Sequence, residues 1–147
     1  MPLFESFGIS ASGLTAQRLW LDIISNNIAN MHTAGRPGDP AAPVYRREAP
    51  VFVEKLRQAA DALPGRGLSA AGVDVAAVVA DPAPPRMVYD PRNPLANPQT
   101  GYVAYPDINI TNEMVNMIAA SRAYEAGVTT LNAAKDMALK GLAIGQG

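Results

Sequence analysis

The sequence contains no cysteine. Disulfides, thiolate nucleophiles and cysteine-ligated metal centres are therefore excluded. Histidine occurs once, at His32, with no serine or carboxylate at a catalytic spacing. Asp74, Asp81, Asp90 and Asp107 are scattered beside prolines or strand ends, which is no pattern for a metal site. Charge is sparse too: 17% of the residues are charged and the net charge is −1. A typical domain carries about a quarter, so much of this surface is expected to be covered by something. No strong field exists to draw nucleic acid or anionic lipid. The pair Arg46-Arg47 reads as a solvated strand edge.

Long apolar runs are missing as well. None approaches the ~20 residues that span a bilayer, so no membrane insertion is expected. The opening stretch MPLFESFGISASGLTAQ has neither a basic start nor a continuous apolar segment. No cleavable signal peptide is expected from it. Gly65-Arg66-Gly67-Leu68-Ser69-Ala70 imitates a dinucleotide-binding loop, yet it follows a proline, and Gly72 breaks any helix after it. Asn109-Ile110-Thr111 is a formal glycosylation sequon and nothing more. No convergent set of ionisable groups remains, so the reading is a non-enzyme with no cofactor, no metal and no catalytic residue.

Proline is nearly absent from both ends. Of 13 prolines, 12 lie between Pro37 and Pro106, and the other is Pro2. Interior prolines kink or break a helix, so the chain divides into residues 1–31, 32–107 and 108–147. In the first segment Phe7, Ala11, Leu14, Leu21, Ile24, Ile28 and Met31 follow a three/four spacing, with Gln17 as the gap. That is an apolar seam on one helix face, with Leu19 and Ile23 pointing away and Trp20 and Ala16 on a flank. In the last segment Ile110, Met114, Met117, Ser121, Tyr124, Val128, Leu131, Lys135, Ala138 and Leu142 alternate four and three apart. This heptad seam lasts roughly four and a half repeats. Thr111 is the expected N-cap, with Glu113 favourable in the first turn. A helix over 111–142 would extend about 48 Å, beyond a compact domain of about 38 Å.

The middle reads as β and loop. Strands are expected over 44–47, 51–56, 73–80, 87–89 and 102–105, and a flexible loop over 57–71. Asp81-Pro82, Pro84-Pro85, Asp90-Pro91, Asn93-Pro94 and Asn97-Pro98 punctuate it as turns. The fold class is α+β. Long N- and C-terminal helices pair as an elongated coiled coil, and a small proline-rich β/loop region lies between them.

Three stretches then carry a family resemblance. SNNIANMHTAG and MVNMIAASRAYEAGVTTLNAAKDMALKGL resemble the terminal motifs of flagellar axial proteins, the rod and hook subunits. DPAPPRMVYDPRNPLANPQTGYVAYPDINI and YRREAPVF are similar to the FlgC family, proximal rod subunits of the C type. The resemblance covers nearly the whole chain. One departure is Gly127, where the family's RAYEAN motif usually carries asparagine.

The resemblance implies a building block of the flagellar rod, the periplasmic shaft that carries torque from rotor to hook. It implies a helical homo-oligomer that meets other rod subunits and the basal-body base. It also implies export through the flagellar type III apparatus without signal cleavage, with ends poorly ordered before assembly. The residues agree with polymerisation, since helices apolar beyond one face supply both a pairing seam and lateral contacts. Leu14, Leu21, Ile24, Ile28, Met114, Met117, Val128, Leu131 and Leu142 are the expected seam core. Asn26, Asn27, Asn30, Ser121, Arg122, Tyr124 and Glu125 are the expected interface and register positions. Asn26 and Asn30 face away from the seam and Asn27 lies on its flank, so the amides are expected to meet a neighbouring subunit. Asn30 could also close its own helix, and Arg122 with Glu125 could serve only theirs. Another flagellar axial subunit, or a free-standing coiled-coil adaptor or export chaperone, would satisfy the same patterns.

Overall fold

The computed structural model describes residues 2–57 and 69–145. Helix α1 (Pro2–Asn30) is followed by strands β1 (Glu48–Arg57), β2 (Ser69–Ala80), β3 (Arg86–Tyr89) and β4 (Tyr102–Tyr105), and then by helix α2 (Ile110–Ile144). The class is α+β. β1 pairs with β2 in one two-stranded sheet, and β3 pairs with β4 in another. The loop expected over 57–71 and the glycine run at 65–70 lie mostly outside the described residues.

The strand expected at 44–47 is absent: residues 43–47 are coil, and β1 begins at Glu48. That stretch bonds through the side chains of Tyr45 and Arg47, described below, and through the Arg47 carbonyl, which accepts the Asp81 N–H at 2.7 Å. The N-cap of α2 also moves. Asn109, not Thr111, caps the helix, its Oδ1 accepting the N–H groups of Thr111 at 2.9 Å and Asn112 at 3.3 Å.

The chain forms two compact units, and both helices contribute to each. The first comprises Met1–Trp20, Pro50–Ala77 and Ala119–Gly147. Here Leu14 of α1 sits where a side chain on Gly127 would be: a Cβ there would lie 2.9 Å from Leu14 Cδ2. Trp20 meets Phe52 of β1 edge to face at 5.9 Å. The Ser12 hydroxyl accepts the Val73 N–H of β2 at 3.1 Å and donates to the Ile9 carbonyl at 2.7 Å. Only Ala16 and Ala120 are buried apolar residues among those described in this unit.

The second unit comprises Leu21–Ala49 and Val78–Ile118. Its core is Ile23, Ile24, Val103 and Ala104. β3 and β4 run antiparallel with Arg86 opposite Tyr105 and Tyr89 opposite Tyr102. Gly35 and Ala104 extend that sheet by exchanging backbone bonds of 2.8 and 3.0 Å. Gly35 must be glycine, because an added Cβ would lie 2.8 Å from the Val44 backbone. Between β3 and β4 the chain is held by side chains that mimic turns. The Oδ1 atoms of Asp90, Asn93 and Asn97 accept the N–H two residues onward, at 3.3, 2.9 and 2.9 Å. Each is followed by proline, which presets the turn. Asp81 does the same to Ala83 at 2.9 Å.

Candidate functional site

The structural centre of the second unit is polar. Asn27 is 0% exposed and Glu113 is 1% exposed. An amide buried this completely must use its donors and acceptors, since an unpaired one costs about 1–3 kcal/mol. Asn27 uses all four. Its Nδ2 donates to the Glu48 carbonyl at 2.8 Å and to Glu113 Oε2 at 3.1 Å. Its Oδ1 accepts the Glu48 N–H at 2.9 Å and the Tyr45 hydroxyl at 3.0 Å. The other Glu113 oxygen, Oε1, accepts Arg47 Nε at 2.7 Å. α1, the chain entering β1 and the first turn of α2 thus meet at one carboxamide. The Tyr45 phenol is pushed above its ordinary value, first by burial and then by the carboxylates of Glu48 and Glu113.

The other amides of SNNIAN do different work. Asn26 is exposed. Asn30 Nδ2 donates to the Asn26 carbonyl at 2.9 Å, and its Oδ1 accepts the Thr33 hydroxyl at 3.2 Å. Asn30 therefore closes its own helix. Asn27 corrects the expectation that the amides face a neighbour. It shares a helix line with Ile23, also read as outward, and both are buried. The reason is the segment entering β1, which lies along that line at Glu48.

Of the expected seam, Ile24 is buried. Leu14, Leu21, Ile28, Met117, Val128 and Leu131 are half-buried. Met114 and Leu142 depart from it, at 54% and 65% exposed. The inward positions of α2 are Glu113, Met117, Ala120, Ser121, Gly127, Val128, Leu131, Ala134 and Ala138, so Met117, Ser121, Val128, Leu131 and Ala138 of the expected seam are among them. The small residues of this line lie between the large ones that the apolar spacing singled out. Ser121 is half-buried and Tyr124 sits at the surface. Arg122 and Glu125 are exposed and pair with each other at 3.1 Å, within one helix. Arg47, read as a solvated strand edge, is drawn inward by Glu113. Tyr45, Glu48 and Glu113 had no sequence signal for this junction beyond the YRRE of the family-like stretch and an acid in a helix's first turn.

Among the described residues a second face of α2 has no cover. Ile110, Met114, Val115 and Ile118 are exposed, and further on so are Met137, Leu139, Leu142 and Ile144. Among the described residues no three His, Asp or Glu side chains could hold a metal, and no helix is long and apolar enough to cross a membrane.

Two family models match the chain. Residues 7–35 match the flagella basal body rod protein model. Residues 99–144 match the C-terminal model of the flagellar basal body rod FlgEFG proteins. The flagellar basal-body rod protein FlgC of Borreliella burgdorferi is 41% identical, with all of both chains covered. The FlgC proteins of Salmonella typhimurium and Bacillus subtilis are 40% and 39% identical, each covering 99% of this chain and 100% of the relative. The chain belongs to the FlgC family of flagellar basal-body rod proteins. FlgC relatives are structural rod proteins, so the chain is a structural subunit and not an enzyme. The two matched segments hold Asn27, Gly35, Ala104 and Glu113, all of them in the second unit. They hold the exposed apolar face of α2 as well.

Proposed function

We propose that the chain polymerises in the proximal rod, as part of the shaft that transmits torque from rotor to hook. The observation that carries this reading is the uncovered face of α2. Ile110, Met114, Val115 and Ile118 stay exposed in a family whose members assemble as rod proteins. Every described Leu, Met and Phe side chain keeps some exposure, so the chain's own fold leaves apolar area for neighbours. A heterologous contact that does not close on itself builds a helical filament. In this reading residues 1–31 and 108–147 pair as a coiled coil in the rod, and residues 32–107 space and brace the subunits. The partners are further copies of the chain, other rod subunits and the base of the basal body. The subunit leaves the cytoplasm through the flagellar type III apparatus with no signal cleaved, and works in the periplasm. The first unit, with few buried apolar residues among those described, completes its ordering on assembly.

The test is complementation of a bacterium lacking its own FlgC, followed by electron microscopy of isolated basal bodies. Restored swimming, with density for this chain in the proximal rod, is the expected result. A purified chain that forms a soluble oligomer of fixed size and never enters basal bodies would sink the proposal. Amide exchange over residues 119–144 should slow when the subunit assembles.

A further inference from the structure

We propose that Asn27 is a register lock, the positioning residue that sets where α1 stands against β1 and the first turn of α2. Its carboxamide grips both backbone groups of Glu48, the first residue of β1. Those are the two bonds that the facing residue of an antiparallel strand would supply. Strand β1 therefore begins on a helix side chain that is itself fully buried. The same Nδ2 group reaches Glu113, and Glu113 holds Arg47.

Other registers lack this pairing. A slip of α1 by one turn would bring Ile23, Ile24, Asn30 or Met31 toward Glu48. Three of these are apolar and would strand the peptide groups of Glu48 and one Glu113 oxygen without partners. The fourth, Asn30, has an amide of its own, but both ends of it are committed to the end of α1. Asn26, one residue back, is turned out to solvent. Of three amides in six residues, one sets the register, one closes the helix and one is left outside. A single polar residue that fixes register in an apolar helix pairing is a known device. Here it joins three elements rather than two.

The lock depends on which atoms donate, so an isosteric change that reverses donor and acceptor tests it. The purified full chain is compared as wild type, Asn27→Asp, Glu113→Gln and the double variant. Two readouts are taken: amide exchange at Glu48, and at Ala104, whose N–H is paired with Gly35. Asn27→Asp sets an acceptor against the Glu48 carbonyl and against Glu113 Oε2. Exchange at Glu48 should accelerate by roughly tenfold or more, while Ala104 changes much less. The added Glu113→Gln returns a donor, so the double variant should recover a large part of the Glu48 protection. Equal loss at Glu48 and Ala104 would mean that Asn27 only fills space, and would overturn the proposal. So would a double variant no better protected than Asn27→Asp alone. The exchange arms need no rod, so they stand or fall separately from the complementation experiment.

Discussion

At the scale of single residues, close approach and hydrogen bonding decide what is tolerated. A methyl group on Gly35 would meet Val44 backbone atoms at 2.8 Å, and backbone cannot move aside as a side-chain tip can. Gly35→Ala should therefore cost about 1–3 kcal/mol, the range for overpacked sites, seen as a lower urea midpoint. Gly127 is different. A methyl there meets only the end of the flexible Leu14 side chain, and alanine favours a helix over glycine by up to about 1 kcal/mol. The two terms offset, so Gly127→Ala should leave stability nearly unchanged. An asparagine at this position would place a longer polar group against Leu14. Tyr45 supplies a pH signature. Its pKa is raised, so the folded chain keeps the phenol proton to higher pH than the unfolded chain does. This share of stability is intact below about pH 10, the ordinary phenol value, and is lost as pH rises through the raised value. Tyr45→Phe should cost about 1 kcal/mol at neutral pH, for the lost bond to Asn27. The gap to wild type should then narrow above pH 10 in urea titrations, and a gap constant to strongly alkaline pH would contradict the burial argument.

At the scale of elements, legibility followed range. Both helices were readable, because proline is absent and the apolar spacing is regular. The Asx-Pro turns were readable from dipeptides alone, and Asp81, Asp90, Asn93 and Asn97 each fold back on the residue two further on. The facing of α2 was readable only in part: Met117, Val128, Leu131 and Ala138 turn inward, whereas Met114 and Leu142 do not. Apolar residues lie on both of its sides, and the four/three alternation passes over Glu113, Ala120 and Gly127. Small residues mark the inward line because they let another element come near, as Leu14 does at Gly127. The polar junction was out of reach for another reason. Its key bond joins residues 86 apart in sequence, and local pattern carries no record of that pairing. The facing can be tested directly. Ala120 is fully buried whereas Ala123 is exposed. Ala120→Leu should lower the urea midpoint of the purified chain, and Ala123→Leu, at an exposed position, should leave it nearly unchanged. Leu131→Asp, which puts a charge on the inward line, should abolish assembly; normal swimming in that variant would show that line to be misplaced.

At the scale of the whole molecule, the two faces of α2 separate folding from assembly. Glu113, Met117 and Ala120 face the chain's own interior, while Ile118, one residue beyond Met117, is 62% exposed. A hydrophobic side chain of that exposure contributes little to the fold of the isolated subunit, and surface changes of this kind usually stay within about 0.5 kcal/mol. On the proposed polymerisation the same residue lies against a neighbour, where an unpaired carboxylate would have to be desolvated at a cost of several kcal/mol. Ile118→Asp should therefore leave the urea midpoint of the purified chain unchanged and still block rod growth. On the proposed export route there is an internal control: a subunit that folds normally yet cannot be incorporated should be secreted in wild-type amounts. The measurement is the variant's level outside the cytoplasm, read beside swimming and basal-body yield in the same cells. Normal swimming with Ile118→Asp would show that this face stays open in the rod, and the polymerisation contacts would then have to be sought among the exposed valines of β1 and β2.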